Sequence, residues 1–198
     1  MSELIDRAKQ TEREKYENMW AQDAYRDRSP GLRIAPEVYK FFRMHPAERI
    51  IDWGCGTGRA AKWFQAQGLR AFGIDHAANA LEEDVWFLRA CLWDIRPGIV
   101  PYAPWAFCCD VLEHLPEEHV EQAVRNIAAY TTRGAFFKVA DADDDCGRLI
   151  GQELHLTRRP QQWWFALFKK YFRVIAATNG DRPGTFNFYC EPRGAGGR

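Results

Sequence analysis

Three glycines alternate in Ile51-Asp52-Trp53-Gly54-Cys55-Gly56-Thr57-Gly58-Arg59, directly after a short apolar run. Lacking a Cβ, glycine permits a tight turn and lets a ligand lie against the backbone. The spacing is GxGxG, not the GxGxxG that aims a helix N-terminus at a pyrophosphate, and no Gly-Lys-Ser/Thr follows to make a phosphate loop. Asp52 stands two positions before Gly54. A carboxylate there repels a pyrophosphate and attracts an ammonium or a sulfonium. The spacing therefore predicts a cationic, amino-acid-bearing cofactor. Two histidines are placed for proton transfer, a task for which imidazole is well matched near neutral pH. His114 follows Asp110-Val111-Leu112-Glu113, and His155 precedes Pro160-Gln161-Gln162-Trp163-Trp164.

These residues need a scaffold, and the hydrophobic pattern supplies one. Residues 1–27 carry Ala8, Tyr16, Trp20 and Tyr25 as an apolar stripe among charges, the pattern of a helix. Ser29-Pro30-Gly31 breaks it, and a second helix is expected over Ala35–Met44. Buried strands are expected at Arg49–Trp53, Leu69–Asp75, Val85–Cys91, Trp105–Asp110 and Gly134–Ala140. Helices are expected at Arg59–Gln67, Glu117–Tyr130 and Pro160–Tyr171. Strands alternating with helices imply an α/β, doubly wound, mostly parallel sheet covered on both faces. The last two strands, Phe172–Thr178 and Phe186–Glu191, are joined too closely for a crossover helix, so a C-terminal antiparallel hairpin completes seven strands. The expected organisation is a helical N-terminal segment over 1–46, a ligand-binding domain over 47–192 and a frayed tail over 193–198. In such sheets ligands bind beyond the carboxyl ends of the strands, where the glycine turn lies.

The stretch Asp52-Trp53-Gly54-Cys55-Gly56-Thr57-Gly58 resembles the glycine motif of the class I S-adenosylmethionine-dependent methyltransferases. The resemblance is strong over roughly Arg49–Ala140 and looser elsewhere. It implies S-adenosylmethionine as methyl donor and S-adenosylhomocysteine as product. It also implies that Asp75, 17 positions after Gly58 and followed by His76, holds the ribose hydroxyls, since a carboxylate accepts from both. By the same resemblance Asp94 receives the adenine amino group with Trp93 against the purine, and Cys109 and Asp110 line the methionine end. The leading segment, with Trp20 and Arg26, is then a lid. Arg26 either pairs with the methionine carboxylate or lies on a plain surface helix. Asp110-Val111-Leu112-Glu113-His114-Leu115-Pro116 also matches the family closely after its fourth strand. The His155, Pro160, Trp163-Trp164 arrangement is similar to that of small methyltransferases from phage and glycan-modification settings. A small-molecule or glycan-type acceptor is the resulting expectation. A hydroxyl acceptor needs a base, with His155 favoured over His114, and O-methylation is favoured over N-methylation.

Composition narrows the partners. Lys plus Arg and Asp plus Glu both number 27, whereas a domain gripping phosphates carries a basic excess. The Asn/Asp-Pro-Pro-aromatic signature of base methylation is absent after the fourth strand. Nucleic-acid methylation is therefore the disfavoured alternative, beside a non-catalytic scaffold that only binds the cofactor. No apolar run approaches the ~20 residues that span a bilayer, and the first twenty residues are charged throughout. A cytoplasmic protein without a membrane partner is expected. The six cysteines form no CxxC pair, and Asp141, Asp143, Asp144 and Asp145 read as a solvated loop, so no metal is expected. Oligomeric state leaves no mark on the sequence.

Overall fold

The computed structural model describes residues 2–193, so most of the expected C-terminal tail lies outside the described residues. Seven strands form one sheet: β1 (Arg49–Trp53), β2 (Arg70–Asp75), β3 (Trp86–Arg89), β4 (Ala103–Cys109), β5 (Thr131–Ala140), β6 (Phe172–Asn179) and β7 (Thr185–Pro192). Their order is β3-β2-β1-β4-β5-β7-β6. All neighbouring pairs from β3 through β5 run parallel, and β7 lies antiparallel to both β5 and β6. The parallel sheet and its closing hairpin are those expected from the sequence.

Among the described residues six α-helices accompany the sheet: α1 (Ser2–Trp20), α2 (Asp23–Arg26), α3 (Gly31–Phe42), α4 (Arg59–Ala66), α5 (Glu117–Tyr130) and α6 (Gln161–Tyr171). Successive strand residues point to opposite faces, so the neighbours Phe136 and Phe137 feed different cores. Phe137 stacks on Phe168 of α6 with centroids 4.4 Å apart, inside a cluster holding Trp53, Ile127 and Trp164. Phe136 joins Phe64, Phe107 and Val38 beneath α3 and α4. Burying each such ring contributes about 1.5–3 kcal/mol. Trp164 is fully buried, whereas Trp163 is half-buried at the edge of the same core with Arg159 over its ring. That division follows from the 100° step between helix neighbours.

Several boundaries differ from the expected ones. The single N-terminal helix breaks after Trp20. Helix α3 starts four residues early, at Gly31, with Pro36 inside it. Proline removes one N–H from the helix ladder; the carbonyl four residues back belongs to Leu32, an exposed residue. Strand β5 begins at Thr131, straight out of α5 without a loop. Strand β4 ends at Cys109, because Asp110 turns out with a left-handed φ of 53°. Helix α1 crosses the carboxyl edge of the sheet, where Tyr16, Met19 and Trp20 pack on Ala77, Ala80, Cys146 and Leu154. Among the described residues no helix is long and apolar enough to cross a membrane.

Candidate functional site

The turn after β1 has left-handed φ at Gly54 (79°), Gly56 (48°) and Gly58 (78°). Only glycine adopts such angles freely. A Cβ on Gly54 would also come within 2.4 Å of Val111, and one on Gly56 within 2.8 Å of the Trp20 ring. The turn is pinned from β2. Gly54 and Cys55 both donate to the Ile74 carbonyl, at 2.7 and 3.0 Å. The Asp75 carboxylate accepts from the Gly56 N–H at 2.9 Å and from the Ala77 N–H at 3.0 Å. A carboxylate has about four acceptor positions, so Asp75 retains two. It lines a cavity of about 60 Å³ together with Tyr16, Trp20, His76, Leu92 and His114.

Asp52 lies beneath the turn, 3% exposed, and its Oδ2 has no hydrogen-bond partner. It lines neither this cavity nor the larger one described below. Burial, with the neighbouring Asp75 charge, pushes its carboxyl up to about 7. At low pH Asp52 is protonated in the folded and unfolded chain alike. As pH rises towards 7 the unfolded chain releases this proton first, so the fold loses stability across that window. Asp52→Asn removes the loss. Urea unfolding of the cofactor-free protein is expected to show a gain of roughly 2–4 kcal/mol at about pH 8, one pK unit being about 1.4 kcal/mol, and little gain near pH 4. Equal gains at both values contradict a buried carboxyl as the cause.

A cavity of about 360 Å³ adjoins the first and shares Trp20, Tyr25, Gly54, Asp110 and His114 with it. Its wall adds Cys109, Asp143, Asp144, Asp145 and His155. Burial, then the charge of Asp110, raises the Cys109 thiol, which stays protonated. Asp110 is gripped by the fully buried Lys138 of β5, with Nζ at 2.6 and 2.7 Å from its two oxygens. Asp181, in the β6–β7 turn, stands 3.5 Å from the same Nζ. Burial opposes the Lys138 charge, but Asp110 outweighs it and raises the ammonium.

The two histidines meet here. The His114 and His155 rings lie edge to face, 4.7 Å apart. The His155 Nδ1 is 2.6 Å from the Ala142 carbonyl, which can only accept. Nδ1 therefore carries the proton, and Nε2 keeps a lone pair. His114 Nδ1 meets the Tyr16 hydroxyl at 2.7 Å, and burial, then His155, lowers this imidazole well below its usual range. Behind them Glu113 is fully buried with both carboxyl oxygens unpartnered; burial, then the Asp110 charge, raises its carboxyl.

The structure thus brings Trp20, Gly54, Gly56, Asp75, His76, Cys109, Asp110, His114 and His155 onto two adjoining cavities. Six expected residues stand apart: Asp52 beneath the turn, Gly58 at the start of α4, and Asp94, Trp93, Arg26 and Cys55. Asp94 turns outward to Lys9 of α1 at 2.7 Å, and Trp93 stacks on His119 with centroids 4.8 Å apart. Leu92 borders the smaller cavity instead. Arg26 binds the Ala80 and Asn79 carbonyls and Glu82, while Arg28 and Arg182 stand on the cavity wall. The Cys55 Sγ points down towards Gly73. Of the acidic loop, Asp144 accepts from the Cys146 N–H at 2.7 Å and Asp143 pairs with Arg158. Tyr16 entered the sequence reading only as part of the leading apolar stripe, and Lys138 escaped it. A lone lysine inside the apolar run Ala135-Phe136-Phe137-Lys138-Val139-Ala140 was the available signal for the second.

A family model described as a methyltransferase domain matches residues 19–179. No match was found among curated protein sequences. Several solved structures share the fold. Magnesium protoporphyrin IX methyltransferase (ChlM) from Synechocystis PCC 6803, with bound SAH, is 13% identical with a TM-score of 0.67, over 91% of this chain and 93% of that one. N-methyltransferase NodS from Bradyrhizobium japonicum WM9, in complex with S-adenosyl-l-homocysteine, is 12% identical with a TM-score of 0.64, over 91% and 98%. The 1,6-didemethyltoxoflavin-N1-methyltransferase of Burkholderia thailandensis is 16% identical with a TM-score of 0.65, over 87% and 82%.

Proposed function

This chain belongs to the methyltransferase-domain family, and from that premise we propose that it methylates a small-molecule or glycan-type acceptor from S-adenosylmethionine, on oxygen rather than nitrogen. The residues fit that donor. Asp75 keeps two acceptor positions beside the glycine turn, where the ribose hydroxyls need them. Val111 and Leu115 give the smaller cavity apolar walls for a purine. When bound, the donor supplies a methyl group made electrophilic by its sulfonium.

The chain's own part is to orient, dry and deprotonate. Trp20 of α1 closes over Gly56 and Tyr16 lines the smaller cavity beside it, and excluding water strengthens every charge interaction inside. Holding the acceptor in the larger cavity, against the shared wall, makes the encounter effectively unimolecular. The observation that supports oxygen as the target is His155: its Nδ1 proton is committed to Ala142, and its Nε2 lone pair is left for an acceptor hydroxyl's proton. An amine arriving neutral needs no such group. His155→Ala is expected to lower turnover of a hydroxyl acceptor by about 10²–10⁴ with donor affinity unchanged, read by radiolabelled methyl transfer at saturating substrate. Turnover within about twofold of wild type removes His155 from this role. The acceptor itself is sought by offering sugars and nucleotide sugars, then amines, then nucleic acids.

A further inference from the structure

The most anomalous group in the molecule is Glu113. It sits in the short turn Leu112–His114 after β4, is 0% exposed, and neither carboxyl oxygen has a hydrogen-bond partner. Buried carboxyls without partners are rare because desolvation costs several kcal/mol that nothing returns. One ligand atom each from Glu113, His114 and His155 lie within 4.8 Å of one another. Both imidazoles are also braced as ligands are. His155 Nδ1–H donates to the Ala142 carbonyl at 2.6 Å, and His114 Nδ1 meets the Tyr16 hydroxyl at 2.7 Å. Such outer contacts fix the ring and leave Nε2 for a metal.

We propose that Glu113, His114 and His155 form a binding site for a divalent transition-metal ion on the wall of the larger cavity. Two imidazoles and one carboxylate suit ions such as Zn²⁺, Mn²⁺ or Fe²⁺, whereas Mg²⁺ and Ca²⁺ prefer oxygen-only shells. Bonds of about 2.0–2.2 Å at tetrahedral angles put ligand atoms about 3.3–3.6 Å apart, so the three groups close by up to about 1.5 Å to take the ion. The ion resolves the Glu113 anomaly, since a cation returns what burial of the carboxylate costs. Three protein ligands leave positions open towards the cavity. In the loaded protein His155 Nε2 is a ligand and no longer a base. A hydroxyl coordinated at an open position loses its proton to water more readily, because the ion's charge lowers its pKa. Only this catalytic use rests on the acceptor reading above; the binding site does not.

The test uses untagged full-length protein stripped with chelator and titrated calorimetrically with Zn²⁺, with Mg²⁺ as comparison. Co²⁺ serves as a spectroscopic probe. The expected result is one Zn²⁺ per chain and a visible Co²⁺ band without the thiolate charge-transfer absorption of cysteine ligation. Affinity is expected to fall about 100-fold or more in Glu113→Gln and in His155→Asn, and to persist in His45→Ala, which removes an exposed histidine. Glu113→Gln is nearly isosteric and removes a buried acid, so it is expected to fold. S-adenosylhomocysteine binding by each variant checks this. No binding, or binding unchanged in both variants, overturns the site and leaves His155 as a base. Zinc binding with no methyl transfer to any acceptor overturns the function and leaves the metal site standing.

Discussion

Asp75→Ala is expected to weaken S-adenosylmethionine binding by at least about 100-fold, measured by isothermal titration calorimetry. The carboxylate offers two acceptor positions to the ribose, and each hydrogen bond to a charged group contributes about 1.5–3 kcal/mol. Every 1.4 kcal/mol is a factor of ten in affinity. The substitution acts a second way, because Asp75 also holds the Gly56 and Ala77 N–H groups. Without it the turn loses its link to β2, and the surface that receives the donor is no longer preorganised. Asp75→Asn separates the two effects: its amide oxygen preserves one acceptor, and an intermediate loss is expected. Circular dichroism guards against reading global unfolding as lost affinity. Unchanged affinity in Asp75→Ala places the ribose elsewhere.

The second large effect concerns stability. Lys138→Met is expected to cost about 3–5 kcal/mol in urea unfolding at neutral pH, the usual cost of breaking a buried pair from one side. Lys138 is fully buried, and its Nζ sits between both oxygens of Asp110 with Asp181 beyond. Removing the ammonium leaves Asp110 only the more distant and exposed Arg182 guanidinium at 3.8 Å, on a left-handed backbone that already departs from what a non-glycine residue prefers. Adding Asp110→Asn removes the stranded charge. The double variant is expected to recover most of the loss, and this non-additivity is the signature of a direct pair. A loss below about 1 kcal/mol in the single variant shows that the pair does not support the cavity wall.

The glycine turn was legible because its geometry is local: spacing, one strand, one turn. The C-terminal hairpin was legible from the short link between its strands. Trp93, Asp94 and Arg26 were not, because their partners are chosen by tertiary packing. Lys9 reaches Asp94 only because α1 crosses the sheet edge, and Arg26 is taken up by Glu82 and two carbonyls across the α2 contact. The sequence showed Glu113 within a recognisable run but not its burial, and burial is what turns an ordinary acid into a candidate ligand. His114 and His155, 41 positions apart, meet through the return of the chain after β5.

The central claim is that the methyl donor lies over Gly54–Gly58 with its ribose on Asp75. A crystal structure of the protein with S-adenosylhomocysteine tests it most directly. The expected result is the product spanning the two cavities, its ribose hydroxyls on the Asp75 carboxylate and its amino-acid end towards Asp110. An empty glycine turn, or the product bound elsewhere on the molecule, contradicts the account.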